Sequence, residues 1–379
     1  MRKLNLLAWV VLAAGLMPVQ SLRAADAAPA LEFTAVPVWG EDTNLAGKAT
    51  GVKPDECYVA VYIKVGDHWW TKPNFEFARV RIEDDGAWTT DVTTGGDDIF
   101  ATDIAAFVLP NDLKPPPADY AAELPPELAK RALASKVVQR EKKPGAVLET
   151  KGPARTLKFA NRNWVVKEFD RPIGPGPNRF SGRPEDVWSD EAGLHLTVRR
   201  REKNWYCTEV ALDESLGYGT YAFYTKSRVD VFDPFIVTGL FTWDTEAPPP
   251  HREIDIEFAR WGHDTDYTNA QFVVQPFLKP GNLVRYRMVL ADEAPELTSI
   301  MVWSPGQVKY MTAQGFHAPD AVPADKVIFA WTYQGAAVPE PGRENVRINL
   351  WLSDGHPPRT SEPTELLVTD FKFIPPKAN

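Results

Sequence analysis

Cysteine is nearly absent from this chain: two residues in 379, Cys57 and Cys207. Two thiols so far apart cannot build the disulfide framework that staples small exported folds. They either pair with each other or sit as small buried hydrophobes. Histidine is also sparse, and none of the six residues stands at a paired ligand spacing, which argues against a zinc or iron hydrolase. There is no G-x-S-x-G elbow and no P-loop. Gly217-Tyr218-Gly219-Thr220-Tyr221-Ala222 has the glycines of a dinucleotide fingerprint but leads into alternating strand residues, so the helix amides that would hold a pyrophosphate are missing.

Long apolar runs are missing too, apart from Leu4 to Met17. That run follows Arg2 and Lys3 and precedes the small residues Ala24, Ala25 and Ala27. It reads as a secretory signal over residues 1–24, too short for a membrane anchor, and no second span follows. No cysteine lies near that junction to carry a lipid. Basic residues are in deficit, with 42 Lys+Arg against 51 Asp+Glu for a net charge of −9. Removing residues 1–24 takes away Arg2, Lys3 and Arg23, which leaves 39 against 51 and a net charge of −12. Such a chain is a poor nucleic-acid binder. The expectation is a secreted or periplasmic protein with no membrane span after signal removal and no nucleic-acid partner; protein partners are not readable.

The 34 prolines and 24 glycines separate short apolar runs, the texture of an all-β chain with many turns. Thirteen tryptophans suit a protein that stacks sugars, and equally suit a large β core. Residues 31–110 are strand-rich, with "ECYVAVYIKV", "FEFARVRIED", "GAWTTDVTT" and "DIAAFVLP", and read as a small N-terminal β-sandwich module. Residues 111–156 read as a Pro-rich linker with one helix, Glu127 to Glu141. From residue 157 to 376 the pattern is β throughout, with about ten to fourteen strands and no intervening helix, as in a large antiparallel sandwich. Ser304-Pro305-Gly306 suits a tight turn between two of them.

One stretch breaks the usual rules. In "HREIDIEFARW", His251 to Trp261, Glu253, Asp255 and Glu257 alternate with Ile254, Ile256 and Phe258. On a strand, three carboxylates ~7 Å apart would line one face and three large apolar groups the other. By the same parity Arg252 and Arg260 face away from the acids. A charged outer face is the plain explanation, but like charges in a row repel and raise one another's pKa. That repulsion is what a retaining glycosidase uses: one ionised carboxylate as nucleophile and one kept protonated as general acid. Glu253 and Glu257 have Cα atoms ~13 Å apart on an extended strand, and two glutamates leaning together leave about 5 Å between carboxyls. A third use, structural calcium, is open both here and at the acidic "GGDDIFATD" (Gly95 to Asp103), which lacks EF-hand spacing. No other cofactor or metal is expected.

The motif "EIDIEF" resembles the active-site signature of glycoside hydrolase family 16, the laminarinase, lichenase and agarase clan. "PNRFSGRPEDVWSDEAGLHLTV", "GYGTYAFYTKSRV", "GLFTWDT", "VRINLWL" and "TELLVTDFKFI" are similar to that family's other strands in the same order, from Asn161 to Phe373. The resemblance implies a concanavalin-type β-jelly-roll sandwich and a retaining endo-β-glycan hydrolase of β-1,3- or mixed-linkage glucan-like polysaccharide. It further implies Glu253 as nucleophile, Glu257 as acid/base and Asp255 as the supporting acid. For substrate binding it points to Trp243, Phe241, Gln271, Asn349 and Trp351, with Asn178 a weaker match. Phe241 is as readily a core residue, and Trp261 could form a cleft wall. His251, where lichenase-like members often have an acid, and Val273, where they tend to have a polar residue, depart from the pattern and bear on the substrate. The N-terminal module resembles a small β-domain of bacterial exported proteins through "VAVYIKVGDHWWTKP" and "DGAWTTDVTTGGDD", and Trp69, Trp70 and Trp88 are its candidate sugar platform. The rival readings are a transglycosylase on the same scaffold and a non-catalytic glycan-binding envelope protein.

Overall fold

The computed structural model describes residues 28–41, 43–73, 78–94, 98–140, 154–169, 171–247 and 250–376. The segment expected to be a secretory signal and Gly95, Gly96 and Asp97 of the acidic loop lie outside these residues. Asp98 of that loop is ion-paired with Lys72. In the first part of the chain the elements are β1 (Ala30–Ala35), β2 (Leu45–Thr50), β3 (Cys57–Val65), β4 (His68–Lys72), β5 (Ala87–Thr90), β6 (Asp103–Pro110), α1 (Pro126–Arg131) and β7 (Ala134–Gln139). They form a three-stranded sheet, β1-β2-β5, and a four-stranded one, β4-β3-β6-β7, all antiparallel.

Three expectations fail here. "FEFARVRIED" supplies only a single bridge, Val59 to Val80, among its described residues, 78–84. The helix expected from Glu127 to Glu141 stops at Arg131, and Ala134–Gln139 continues as a strand paired to β6. Val137 and Val138 lose side-chain freedom in a helix and fit a pleated strand, so pairing with β6 prevails over helix extension. The segment 111–156, read as a linker, therefore contributes an edge strand to a sheet. The tryptophan platform does not form either. Trp88 is buried in one core and Trp70 packs on that core, whereas Trp69 packs on a different cluster around Tyr58, Tyr62 and Phe107.

From residue 156 on, two large antiparallel sheets face each other as a β-jelly-roll sandwich. The strands are β8 (Thr156–Phe159), β9 (Arg162–Val166), β10 (Val187–Ser189), β11 (Leu194–Arg201), β12 (Asn204–Tyr206), β13 (Thr208–Leu212), β14 (Gly219–Lys226), β15 (Ile236–Trp243), β16 (Ile254–Phe258), β17 (Ala270–Val274), β18 (Leu283–Tyr286), β19 (Glu296–Ser304), β20 (Gln307–Gln314), β21 (Val327–Tyr333), β22 (Asn345–Leu352) and β23 (Thr364–Ile374). One sheet runs β10-β11-β23-β14-β19-β20-β21 with β12 paired to β11; the other runs β18-β17-β16-β15-β22-β13-β9-β8. The β19–β20 hairpin turns at Pro305-Gly306, with Ser304 opposite Gln307 and Gly306 at φ +69°, the left-handed value a type II turn asks of its third residue.

The second sheet carries the site because its two faces differ. Ile254, Ile256 and Phe258 of β16 point into the core with Leu240, Phe272, Ile348 and Leu350, against Phe223, Met301, Tyr310 and Phe371 of the opposite sheet. Burying each of those three side chains contributes about 1.5–3 kcal/mol. This anchorage offsets the repulsion among the acids on the other face and fixes where they point. Both cysteines are free and buried: Cys57 in the N-terminal core and Cys207 in this one.

Candidate active site

Strand register builds the site. One row across the second sheet reads Glu209 (β13), Asn349 (β22), Gly239 (β15), Glu257 (β16), Gln271 (β17) and Arg285 (β18), each opposite the next. The next row reads Ala211, Arg347, Phe241, Asp255, Val273 and Leu283. Side chains in both rows share the face opposite the core. Glu253 lies just before β16 rather than within it. His251 and Arg252 both have φ +55°, so the chain turns sharply there, and strand parity does not extend to Arg252. Its guanidinium instead donates to Asp244 Oδ2 (2.8 Å) and to the Glu340 carbonyl (2.9 Å). Arg260, past the end of β16, donates to the Phe232 carbonyl.

The three acids share one cavity of about 250 Å3 with Lys167, Glu209, Arg347, Asn349, Phe241, Trp243 and Trp351. Glu253, Glu257 and Trp351 also border an adjoining cavity of about 660 Å3 walled by Trp261, Gln271, Gln275, Phe277, Leu278 and Arg285, so the two make one cleft. The sequence-derived residues Glu253, Asp255, Glu257, Trp243, Phe241, Gln271, Asn349, Trp351 and Trp261 thus come together. Asn178 does not. Its buried amide donates to the carbonyls of Pro175 and Leu352 (2.8 Å each) and its Oδ1 accepts from the Cys207 thiol, so it ties two segments together behind the cleft wall and lines neither cavity.

The aromatic walls are partly occupied already. Trp243 stacks on His251 with ring centroids 4.1 Å apart, and the Arg347 guanidinium lies 5.7 Å from the same ring. Trp261 meets Trp351 edge to face at 5.8 Å. Its place comes from a left-handed turn, φ +54°, rather than from continued strand parity. At the centre of the first row Gly239 leaves a gap: a Cβ there would lie 2.4 Å from Asn349 Oδ1, so only glycine lets that amide lie across the floor.

Electrostatics divides the floor in two. Gln271 Oε1 accepts from Trp261 Nε1 (3.1 Å) and Arg285 Nη1 (2.9 Å), which fixes the amide so that its Nε2 donates to Glu257 Oε2 (2.7 Å). Arg285 is itself held by Asp266 Oδ2 (2.8 Å) and Thr268 Oγ1 (2.8 Å). Burial still lifts the Glu257 carboxyl to about 7, against the pull of Gln271 and Arg285. Asp255, 3% exposed, is pushed well above its ordinary value by burial and then by the charges of Glu253 and Glu257. It accepts one bond from Gln275 Nε2 (3.1 Å), and its hydrogen bond with Glu253 favours the proton on Asp255. Burial and the Glu257 charge lift Glu253 to about 8, opposed by the Asp255 hydrogen bond and the Arg347 charge. Near neutral pH the trio holds its protons jointly, so ionising one member favours keeping the others neutral.

Lys167, Glu209 and Arg347 were not among the sequence-derived candidates. Glu209 Oε2 accepts from Lys167 Nζ (2.9 Å) and from Asn349 Nδ2 (3.3 Å), and its Oε1 accepts from Arg347 Nη1 (3.2 Å). Arg347 was findable, since it precedes Asn349 and Trp351 by two and four residues on one strand and so shares their face. Glu209 and Lys167 carried no such signal; they join the site through pairing between segments distant in sequence. Among the described residues no group of three or more His, Cys, Asp or Glu could hold a metal ion.

No protein-family profile matches this chain, and no curated protein matches it. Solved structures do. A β-glucanase of Bacillus licheniformis is 18% identical, over 59% of this chain and 99% of its own, with a TM-score of 0.41. An immunostimulatory antigen and pseudo β-1,3-glucanase of Mycobacterium tuberculosis is 19% identical over 59% and 95%, with a TM-score of 0.43. A mixed-linkage-glucan GH16 protein of Bacteroides ovatus is 11% identical over 56% and 94%, with a TM-score of 0.41. At such values the likeness carries nothing about chemistry, which has to come from the side chains in the cleft.

Proposed function

We propose that this chain is a secreted or periplasmic retaining endo-β-glycan hydrolase. The observation that carries the reading is the trio itself: three carboxyl groups at alternate positions, two on β16 and one just before it, all pushed above their ordinary values on the floor of a cleft walled by Phe241, Trp243, Trp351 and Trp261. Two adjoining cavities of about 250 and 660 Å3 give room for a polysaccharide segment, and aromatic walls suit sugar faces.

In this mechanism the trio reacts from the protonation state in which Glu253 is the ionised member. That state is favoured by the Asp255 hydrogen bond and the Arg347 charge and is populated by a minority of molecules at neutral pH, and from it Glu253 attacks the anomeric carbon. Glu257, whose carboxyl near 7 is partly protonated at neutral pH, gives its proton to the leaving glycosidic oxygen. Glu257, now a carboxylate held by Gln271, then takes a proton from water as that water displaces Glu253. Asp255 keeps Glu253 oriented and compensates its charge. Asn349 Oδ1, buried without a hydrogen-bond partner, is an acceptor for a substrate hydroxyl at this point.

The test is reducing-end release by the mature protein from β-1,3-glucan, mixed-linkage glucan and β-galactans. Glu253→Gln should abolish it by at least about 10^3-fold with an unchanged melting temperature. Release that persists in both Glu253→Gln and Glu257→Gln would overturn the assignment.

A further inference from the structure

We propose that the turn joining β17 to β18 carries a sugar-binding shelf, Phe277 and Leu278, which holds an uncharged pyranose ring of the polysaccharide away from the cleavage point. The inference rests on the hydrolase reading and deepens it by naming a further subsite and the kind of sugar it takes. Phe277 and Leu278 are 44% and 42% exposed. Both line the cavity of about 660 Å3 that Glu253, Glu257 and Trp351 also border, together with Leu283 at the start of β18. Apolar side chains gathered beside a reaction centre, rather than scattered singly, mark a surface that a ligand covers. A glycan held between Glu253 and Glu257 extends on both sides of its cleaved bond. One arm of it is placed to run over the shelf, because the two cavities make one cleft.

The shelf is tied down from both ends. Gln275 Oε1 accepts from the Phe277 backbone N–H (2.8 Å), and Gln275 Nε2 donates to Asp255 Oδ2 (3.1 Å). On the far side Asn282 is buried. Its Nδ2 donates to the Pro276 carbonyl (3.2 Å), its backbone N–H donates to the Lys279 carbonyl (3.0 Å), and its Oδ1 accepts from Tyr333 Oη (2.8 Å). A turn held this way presents its aromatic ring with little ordering cost on binding. A pyranose offers a C–H face to such a ring, and water leaves both surfaces. Charge then selects the substituents of the bound sugar. Arg285 is the one lysine or arginine among the described residues lining this cavity, and each of its nitrogens is already bonded, to Gln271 Oε1 (2.9 Å), Asp266 Oδ2 (2.8 Å) and Thr268 Oγ1 (2.8 Å). Asp266, Asp354 and the two catalytic glutamates line the same cavity, so a carboxylate or sulfate on the ring would meet more acid than base.

The experiment measures kcat/KM of the full-length mature protein on neutral β-1,3- and mixed-linkage gluco-oligosaccharides, from the shortest that is cleaved to chains that span the whole cleft. Phe277→Ala should lower kcat/KM at least about 10-fold on the longest chains and progressively less as the chain shortens, and Phe277→Trp should restore it. In the wild type, carboxylated chains should gain less from each added sugar than neutral ones. Phe277 is exposed, so Phe277→Ala should melt as the wild type does; if melting falls, Leu278→Ser takes its place. A loss equal at every length, or no loss at any length, would overturn the shelf and leave the hydrolase standing. Carboxylated chains that gain as much as neutral ones would overturn the choice of an uncharged ring. If no glycan is cleaved, the hydrolase reading fails and calorimetric titration with the longest neutral chain decides the shelf alone. Weaker binding to Phe277→Ala than to the wild type would uphold it, and equal or absent binding would overturn it.

Discussion

Two kinds of buried acid lie on one face of one sheet and titrate in opposite directions. Glu209 and Glu257 sit in the same cross-strand row, three strands apart, and burial raises the pKa of both. Glu209 nevertheless ends below its ordinary value, because Lys167 and Arg347 hold the charged form. Glu257, with one amide donor and a more distant arginine, ends near 7. Charged partners, not depth, decide which acid stays ionised, and the floor is thereby divided into a fixed anion and a group able to pass protons.

The comparison can be broken most forcefully at its two poles. Glu209→Gln strands two buried cations and should cost about 3–5 kcal/mol of stability in urea denaturation. Asp255→Asn keeps the shape of an acid whose neutral form burial and its neighbours already favour, and should change stability by less than about 1 kcal/mol. Equal losses in the two variants would mean that burial alone governs the floor.

A smaller effect lies in the pH dependence. Folded Glu257 keeps its proton up to about pH 7, while the unfolded chain releases it near 4.5. The folded state binds more protons across that window, so this group makes stability fall as pH rises through it. Glu209 runs the other way: its contribution is present above 4.5 and is lost as pH falls through its depressed folded value. Melting temperatures should therefore decline between about pH 5 and pH 7 in the wild type and decline less in Glu257→Gln. Parallel profiles for the two proteins would contradict the raised Glu257 carboxyl.

Much of this was legible before any coordinates. Alternation in "EIDIEF" places Ile254, Ile256 and Phe258 inward and the acids outward, because a two-residue period allows no other division once one face is buried. Parity along β15 and β22 likewise puts Phe241 with Trp243, and Asn349 with Trp351, on the cleft face. What escaped depends on pairing across long sequence distances. Nothing local in "NWVVKEF" or "CTEVAL" says that Lys167 will meet Glu209, or that Glu209 will meet Arg347, 138 residues later in the chain. Nor does "LAKRALASKVVQ" reveal where its helix stops, since the strand that ends it is stabilised by β6. Asn178 misled for a related reason: a polar side chain in a segment similar to the family's opening strands satisfied its bonds in the scaffold instead.

The most direct measurement is covalent trapping. The mature protein would be incubated with a 2-deoxy-2-fluoro glycoside of the best-hydrolysed substrate, digested and mapped by mass spectrometry. The account predicts one glycosyl group per chain, attached to Glu253. Attachment to Glu257 or to any other residue, or steady hydrolysis of the parent glycan with no adduct formed, would contradict it.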